Sequence, residues 1–263
     1  MKFTGALLFF FLFYINPISA QKGWEIGGYL GGMQYFGDLN TGYGLKDIGP
    51  SGGIVYRKNF NERVCLQSMF NIGRVKASDA DSHNSFEQQR NLSFQSWIMD
   101  IGVHLEFNFF PYFHGDKEFY YTPYAFLGVA GTRYNPKTEL DGQNHTLRTI
   151  MTEGVKYGQF TAGLSFGVGF KWDINRKWSF NAFISPKLPW TDYLDDVSTV
   201  YPNMQSMDEL SVALSDRSGI PGFAEEGGQR GNSNNNDKYT VFGISLMRYF
   251  SRLECPKVSR IRG

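Results

Sequence analysis

Residues 189–203 carry the densest group of side chains in the sequence that could do chemistry. The segment reads PWTDYLDDVSTVYPN. Asp192, Asp195 and Asp196 supply three carboxylates, and Thr191 and Ser198 supply hydroxyls. Trp190 and Tyr193 are aromatic residues in the same segment. Three carboxylates could hold Ca²⁺, which takes about six to eight oxygen ligands, but the spacing of a calcium-binding loop is absent. The aromatic residues favour a packed loop at a membrane interface. We therefore interpret the segment as a structured loop, in which the acids cap a helical turn or pair with bases such as Arg217 and Arg230, and a bound cation stays the alternative.

Histidine is the other residue type that could support catalysis, and the chain has four. A serine hydrolase needs a serine activated by a neighbouring histidine. His104 lies inside an alternating apolar segment, and neither a G-x-S-x-G nor an H-E-x-x-H motif occurs. Glycine runs such as GLSFGVG lack the Lys-Ser/Thr pair of a phosphate-binding loop. The sequence therefore predicts no enzyme, no catalytic residue, no cofactor and no metal.

Alternation with a period of two residues is the dominant pattern. In FTAGLSFGVGFKW, residues 160–172, large apolar residues alternate with glycine, small polar residues and Lys171. In WIMDIGVHLEFNFF, residues 97–110, Asp100, His104 and Glu106 share the face opposite the apolar one. A face with these groups cannot be buried in an apolar core. It can line a polar barrel interior while the other face meets lipid.

Six further segments fit the pattern less cleanly and bring the total to eight predicted strands. The strands are residues 24–34, 52–58, 64–75, 97–110, 122–133, 160–172, 178–187 and 239–250. Most reach the roughly 9–11 residues that a tilted strand needs to cross a bilayer. Short connectors alternate with long ones, which is typical of an outer-membrane barrel with periplasmic turns and external loops. The predicted fold class is an all-β, transmembrane antiparallel β-barrel of about eight strands.

The interior of a barrel of this size is only wide enough for side chains. We expect a network of charged and polar groups to fill it. Its predicted members are Glu25, Arg57, Asp100, His104, Glu106 and Lys171. The polar, glycine-rich stretch EEGGQRGNSNNND, residues 225–237, is interpreted as a flexible part of the last long loop.

The ends of the chain indicate export. Residues 1–20 combine a basic start, the apolar run ALLFFFLFYI and a small residue at Ala20, as in a cleaved signal peptide. The barrel is assigned to residues 21–250, and residues 251–263 to a basic periplasmic tail. A net charge of +1 gives no sign of nucleic-acid binding. The two cysteines, Cys65 and Cys255, form no disulfide framework, although one bridge between them stays open.

Five segments, in order, carry a resemblance to a known family. They are YFGDLN after the first strand, TEG at 152–154, TDYLDDVS after the seventh strand, LSDRS at 214–218 and RGNSNNNDKY before the last strand. With them the chain, from about residue 23 to residue 250, resembles the PorG family of Bacteroidota outer-membrane proteins, a component of the type IX secretion system. TDYLDDVS with its flanking aromatics is the most specific segment. The family-motif loop residues are Gly37, Asp38, Leu39, Asn40, Thr191, Asp192, Tyr193, Leu194, Asp195 and Asp196.

The resemblance implies a non-enzymatic outer-membrane barrel that works in protein transport. Its implied partners are the periplasmic lipoprotein ring of that machine (PorK/PorN-type) and outer-membrane lipids. In this interpretation TDYLDDVS is a structural loop. The alternative is a stand-alone small barrel of the OmpA/OmpX type with a structural or adhesive role.

A periplasmic ring can touch only the periplasmic rim, and residues 110–121 form its longest turn. Its length and aromatic content favour a contact patch, with an aromatic belt at the inner leaflet as the equal alternative. The candidate contact residues are Tyr112, Phe113, His114, Asp116, Lys117, Glu118, Phe119 and Tyr120. We expect His114, Asp116, Lys117 and Glu118 to form the polar crest of the turn. The basic tail could steer an acidic partner or lipid headgroups.

Overall fold

The computed structural model describes residues 23–41 and 47–251 of the protein. These residues form ten β-strands. They are β1 (Gly23–Phe36), β2 (Gly49–Asn59), β3 (Val64–Ser78), β4 (Ser93–Asn108), β5 (Tyr121–Arg133), β6 (Lys137–Leu140), β7 (Gln143–Thr146), β8 (Phe160–Asp173), β9 (Trp178–Pro189) and β10 (Lys238–Phe250). The predicted signal peptide and most of the predicted tail, including Cys255, lie outside the described residues.

Eight of these strands close into an antiparallel barrel. Each of β1 to β4 pairs with the next strand, β5 pairs with β8, and β8, β9 and β10 follow in order. The barrel closes where β1 pairs with β10, from Trp24 opposite Phe250 to Phe36 opposite Lys238. The predicted fold class and all eight predicted strands are therefore confirmed, and β2 starts earlier than predicted, at Gly49.

The burial of alternate residues confirms the predicted faces. On β8, Ser165 and Lys171 are fully buried, whereas Phe160 is 73% exposed and Phe166 and Val168 also point outward. On β4, the outward residues from Trp97 to Phe107 are all apolar, and the residues between them line the interior. An apolar outer wall around a polar interior is the pattern of a barrel that crosses a bilayer. No helix within the described ranges is long and apolar enough to cross a membrane.

This register gives a direct test. Replacing Phe166 with arginine should destabilise the folded barrel by roughly 2–4 kcal/mol, because the charge would face lipid near the middle of the bilayer. Ser165→Ala, one residue away but inside the barrel, should cost far less. Urea unfolding in lipid vesicles, followed by the heat-modifiable gel shift, measures both changes. Equal losses from the two variants would show that the faces are assigned the wrong way round.

The two ends of the barrel differ in the length of their connections. Short turns at residues 60–63 and 174–177 and the longer turn at residues 109–120 lie at the end that holds Gly23 and Phe250. The opposite end carries four long loops. These loops contain the short helices α1 (Ser85–Arg90), α2 (Leu147–Ile150) and α3 (Glu209–Ser215) and the small β6–β7 hairpin, none of which was predicted.

Candidate functional site

The interior near the short-turn end holds four of the six predicted network residues in one ionic cluster. Arg57 donates from Nη1 to Glu25 and from Nε to Glu106, both at 2.9 Å. Lys171 is ion-paired with the other carboxylate oxygen of Glu106 and donates to Asn108 at 2.9 Å. All four charged side chains are buried, and they come from β1, β2, β4 and β8 across the lumen. The two negative and two positive charges of this cluster therefore balance. This pairing offsets the cost of burying charged groups inside the lumen.

The other two predicted network residues lie apart from this cluster. Asp100 accepts hydrogen bonds from Asn71 at 2.6 Å and from Tyr239 at 3.0 Å, and lies 3.4 Å from the ammonium of Lys187. His104 shares a 2.7 Å hydrogen bond with Ser165. The lumen therefore contains two polar layers rather than one network. The buried thiol of Cys65 lies beside Lys171, in the layer near the short-turn end.

The long turn at residues 109–120 closes the short-turn end of the barrel. His114 is buried, lies 2.9 Å from Asp173 and 3.2 Å from Glu25, and stacks on Tyr249 at 4.0 Å. Burial alone would lower the pKa of His114, but the charge of Glu25 and hydrogen bonds to Asp173 and Glu25 raise that pKa to about 9. The side chain of Tyr112 is also buried and donates to Asp173.

The predicted place of His114 on the exposed crest of this turn was therefore wrong. Only Asp116, Lys117 and Glu118 form that crest, with Phe119 exposed beside them. Phe113 packs edge-on against Phe119, and Tyr120 against Tyr121. The inward direction of His114 follows from its two carboxylate partners, which come from β1 and β8 and are distant in sequence. No local pattern in the turn could have indicated them.

At the opposite end, the TDYLDD segment folds into the barrel mouth as part of a buried structure that we call the outer plug. The outer plug consists of residues 37–40, 79–92, 152–157, 190–201, 211–218 and 228–237. Arg230 is its central cation and is 1% exposed. Its guanidinium donates to Glu153 at 2.8 Å and to the backbone carbonyl of Asp196 at 2.7 Å. Glu153 also accepts from the backbone amides of Ser198 and Thr199 at 2.9 and 3.1 Å.

The three acids of TDYLDD point to different partners. Asp196 accepts from the hydroxyls of Thr152 and Tyr157, and its backbone is left-handed with φ of 76°. Asp195 accepts from the Tyr35 hydroxyl at 2.5 Å and from the amide of Val197 at 2.9 Å. The carboxylate of Asp192, 8% exposed, faces the Ser198 side chain and has no cation beside it among the described residues. The acids therefore do not converge on a common point, and no metal-ligating cluster occurs in the described part of the chain.

A second acid, Asp237, shares the hydroxyl of Tyr35. That hydroxyl lies 2.7 Å from Asp237 and 2.5 Å from Asp195, and Asp237 also accepts from the amide of Leu194 at 2.9 Å. The phenol carries one proton, so it can donate to only one of the two carboxyls. Burial raises the pKa of Asp195 and of Asp237 well above the usual aspartate range. The nearby charge of Asp237 also disfavours the ionised form of Asp195.

The GDLN segment and a second buried arginine complete the outer plug. Arg90 binds both carboxylate oxygens of Asp79 at 2.8 Å and donates to the carbonyls of Asp38 and Arg230. The carboxylate of Asp38 accepts from the amide of Asn232 at 2.7 Å, and the Asn40 side chain donates to the carbonyl of Tyr35 at 2.7 Å. The remaining motif residues pack around these bonds. Leu39 and Leu194 are buried, and Gly37 abuts Tyr35 and Asp237. Tyr193 stacks on Tyr157 at 4.6 Å, and the Thr191 hydroxyl shares a 3.3 Å hydrogen bond with that of Tyr134.

Sequence reasoning missed Arg90, Asp79, Glu153 and Asp237, and it treated residues 225–237 as a flexible stretch. That stretch is tied into the outer plug by two backbone bonds from Arg230 and Gly231 to the carbonyl of Thr199, at 3.0 and 2.8 Å. Of the two bases proposed for the acids, Arg230 contacts Asp196, but Arg217 donates to Ser93 and Thr138 instead. The order of the five resembling segments could have pointed to Glu153 and Asp237, because these segments meet here, whereas Arg90 and Asp79 lie outside all five.

The buried acids make the stability of the outer plug depend on pH. Burial raises the pKa of Asp192 from 3.8 to about 7 and that of Asp196 to about 6. The unfolded plug therefore releases these protons at lower pH than the folded one, so stability is highest below about pH 4 and falls until about pH 7. Hydrogen exchange of the Leu194 and Val197 amides, corrected for intrinsic rates, should show weaker protection at pH 8 than at pH 5.

Asp192→Asn is the matched variant for this prediction. It removes a buried carboxylate that has no cation beside it among the described residues, so it should increase protection at pH 8 and change little at pH 5. Ser198 and the other plug residues keep their contacts in this variant. Protection that increases with pH in the parent protein would contradict the assignment.

Comparisons with known proteins agree with the barrel. OprG from Pseudomonas aeruginosa, an outer-membrane protein, aligns over 89% of this chain and 98% of its own with a TM-score of 0.50 and 12% identity. Neisserial surface protein A aligns over 86% of this chain and 97% of its own, with a TM-score of 0.45 and 11% identity. At 12% identity, the likeness to OprG shows the fold of a small outer-membrane β-barrel and no more. The sequence matches no curated protein.

A protein-family model described as "Domain of unknown function (DUF6089)" matches residues 4–213. That range spans β1 to β9 and most of the outer plug, so it covers the greater part of the barrel. The chain therefore belongs to the DUF6089 family.

Proposed function

We propose that the protein is a non-enzymatic outer-membrane barrel subunit of a type IX protein secretion machine. In this role it anchors or positions a periplasmic ring of PorK/PorN-type lipoproteins. The observation that carries the proposal is the outer plug. The five segments that resemble the PorG family lie in three different loops of the chain, yet they meet in one buried structure. There Arg230 donates to Glu153 and Asp196, the Asn232 amide donates to Asp38, and Ser215 donates to the Thr152 carbonyl.

The filled interior favours a scaffold over a solute channel. Side chains occupy both polar layers of the lumen, the His114 turn covers one mouth, and the outer plug covers the other. A barrel with this interior offers its outer wall and its rims for binding. The role of an anchor requires only these surfaces.

The periplasmic crest offers the contact surface for the ring. Asp116, Lys117 and Glu118 are exposed there next to the ring of Phe119. Two bonds from the backbone amides of Glu118 and Phe119 to the Asp116 carboxylate fix the crest, at 2.8 and 3.1 Å. A rigid crest with one aromatic side chain and mixed charge suits a protein interface, where aromatic anchors are surrounded by polar groups.

A photo-crosslinking experiment tests the proposal in intact cells. A photoreactive amino acid at Lys117 should crosslink to the periplasmic ring lipoproteins. The same probe at Gln143, in the β6–β7 hairpin, or at Glu226 should not, because both lie at the opposite end. All three positions are exposed, so the probe should not disturb folding. Affinity purification of the tagged barrel in mild detergent should recover the same partners, identified by mass spectrometry.

The crosslinking pattern distinguishes a wrong membrane topology from a wrong choice of partner. Ring crosslinks from Gln143 alone would invert the topology. Recovery of no ring protein from any position, or by purification, would leave the alternative role of a stand-alone structural or adhesive barrel. A polar cleft of about 390 Å³ among the outer loops, lined by Asn84, Glu87, Asn232 and Phe86, is the surface that such a barrel would use.

A further inference from the structure

A pocket of about 460 Å³ lies on the outer wall of the barrel at the long-loop end of β3, β4 and β5. Ten residues line it. Its apolar floor is made by Trp97 and Met99, and three cations stand around it: Arg74, Arg133 and Lys137. The β6–β7 hairpin closes the top, where Gln95 donates to Asn144 at 2.8 Å. Two of the lining residues, Ser96 and Tyr134, are buried, and the other eight are partly or fully exposed.

The strand register builds the pocket around β4. Arg74 lies opposite Trp97 on one side, and Arg133 lies opposite Met99 on the other. Lys137 lies opposite Gln95, one step closer to the loops. Side chains of directly opposite residues share a face, so all three cations point outward around one strand. Strands two apart are about 10 Å from each other, which places Arg74 and Arg133 on either side of a single headgroup.

No carboxylate within the described ranges neutralises the three cations. None of them forms an ion pair with a carboxylate among residues 23–41 and 47–251. Arg74 donates only to the neutral amide of Gln95, and Arg133 lies over the ring of Phe160 at 5.8 Å. The neighbouring Lys76, by contrast, is paired with Asp47 at 2.5 Å. The pocket therefore carries net positive charge next to apolar surface.

The position of the pocket along the strands sets its depth in the membrane. The apolar outward run of β4 extends from Phe107 to Trp97 and ends there, and Gln95 follows. Eleven tilted residues cover about 25 Å, the height of the apolar band of such barrels. Trp97, which is 58% exposed, thus marks the upper edge of that band. The three cations lie at the level of the outer-leaflet headgroups, the leaflet on the long-loop side.

We propose that this pocket binds the phosphorylated headgroup of an outer-leaflet glycolipid. The guanidinium groups of Arg74 and Arg133 match phosphate oxygens in a two-pronged geometry, and Lys137 adds a third charge. Trp97 and Met99 pack against the first carbons of the acyl chains. The inference needs only the barrel and its orientation, so it stands apart from the proposed secretion partner.

The test uses native mass spectrometry of the full-length barrel in a neutral detergent. The added probes are diphosphorylated lipid A and the same lipid after enzymatic removal of its phosphates. The parent protein should retain one molecule of the diphosphorylated lipid. The variant R74Q/R133Q/K137Q should bind it at least about tenfold more weakly, because hydrogen bonds to charged groups are lost. The matched control, K58Q/K177Q/R248Q, removes three outward cations at the other rim and should bind as the parent does.

Each other outcome overturns the inference. Equal binding by the parent and R74Q/R133Q/K137Q would show that the three cations do not bind the lipid. Equal binding of the dephosphorylated lipid would reduce the pocket to apolar contact with acyl chains. Displacement of the lipid by millimolar inorganic phosphate would make it a site for free phosphate. A heat-modifiable gel shift checks that every variant is folded, and the single change R133Q serves if the triple variant is not.

Discussion

Replacing Glu106 with alanine should destabilise the folded barrel by about 3–5 kcal/mol. Glu106 is buried and accepts from Arg57 at 2.9 Å and from Gln67 at 3.1 Å, and it is also paired with Lys171. Without it, two buried cations face a single acid, Glu25. Lys171 then has only the Asn108 carbonyl, the thiol of Cys65 and the nearby aromatic rings around it. Urea titration of the barrel in vesicles, followed by the gel shift, gives the free energy of unfolding.

Two further variants separate charge from packing in this measurement. The double change Glu106→Leu with Lys171→Met removes one acid and one base together, so the remaining Arg57–Glu25 pair stays balanced. It should recover most of the lost stability, since a buried pair exchanged for apolar groups is often neutral. Glu118→Ala, on the exposed crest, should change stability by no more than about 0.5 kcal/mol. A loss below about 1 kcal/mol for Glu106→Ala would mean that water enters the lumen and solvates the bases.

The barrel could be predicted from sequence because its elements repeat a local pattern. Every second residue of β4 and β8 meets lipid, and this alternation is visible without knowing any contact. The same alternation singles out interior charges such as Glu106 and Lys171, since a charge on a strand with one apolar face must lie on the other. It cannot show which charges pair. The division of the six residues into two polar layers follows from their heights in the barrel.

The outer plug could not be predicted in the same way. Arg230 and Glu153 are 77 residues apart, and neither lies in a periodic segment. Loops carry few constraints of their own, so a polar stretch such as residues 225–237 has the composition of a flexible one. The buried bonds of Arg230 arise only when three loops meet over the barrel mouth. The failed placement of His114 has the same origin, because its partners come from distant strands.

The largest expected effect outside the lumen is that of Arg230→Ala on the outer plug. The change leaves the buried carboxylates of Glu153 and Asp196 without their cation, which should cost roughly 3–5 kcal/mol of local stability. The strands do not depend on Arg230, so the gel shift of the barrel should stay as in the parent. Hydrogen exchange of the Ser198 and Thr199 amides, which donate to Glu153, reports the opening of the plug.

Arg217→Ala is the matched control for Arg230→Ala. Arg217 comes from the same long loop but is partly exposed and donates only to the hydroxyls of Ser93 and Thr138, at 3.4 and 3.1 Å. Its loss leaves no buried charge, and the expected cost is below about 1.5 kcal/mol. Arg230→Lys should rescue only part of the effect, because one ammonium cannot reproduce the fork that binds Glu153 and the carbonyl of Asp196 together. Equal hydrogen-exchange rates in the two alanine variants would show that Arg230 does not stabilise the outer plug more than Arg217 does. Unfolding of the whole barrel by Arg230→Ala would instead show that the plug and the strands form one cooperative unit.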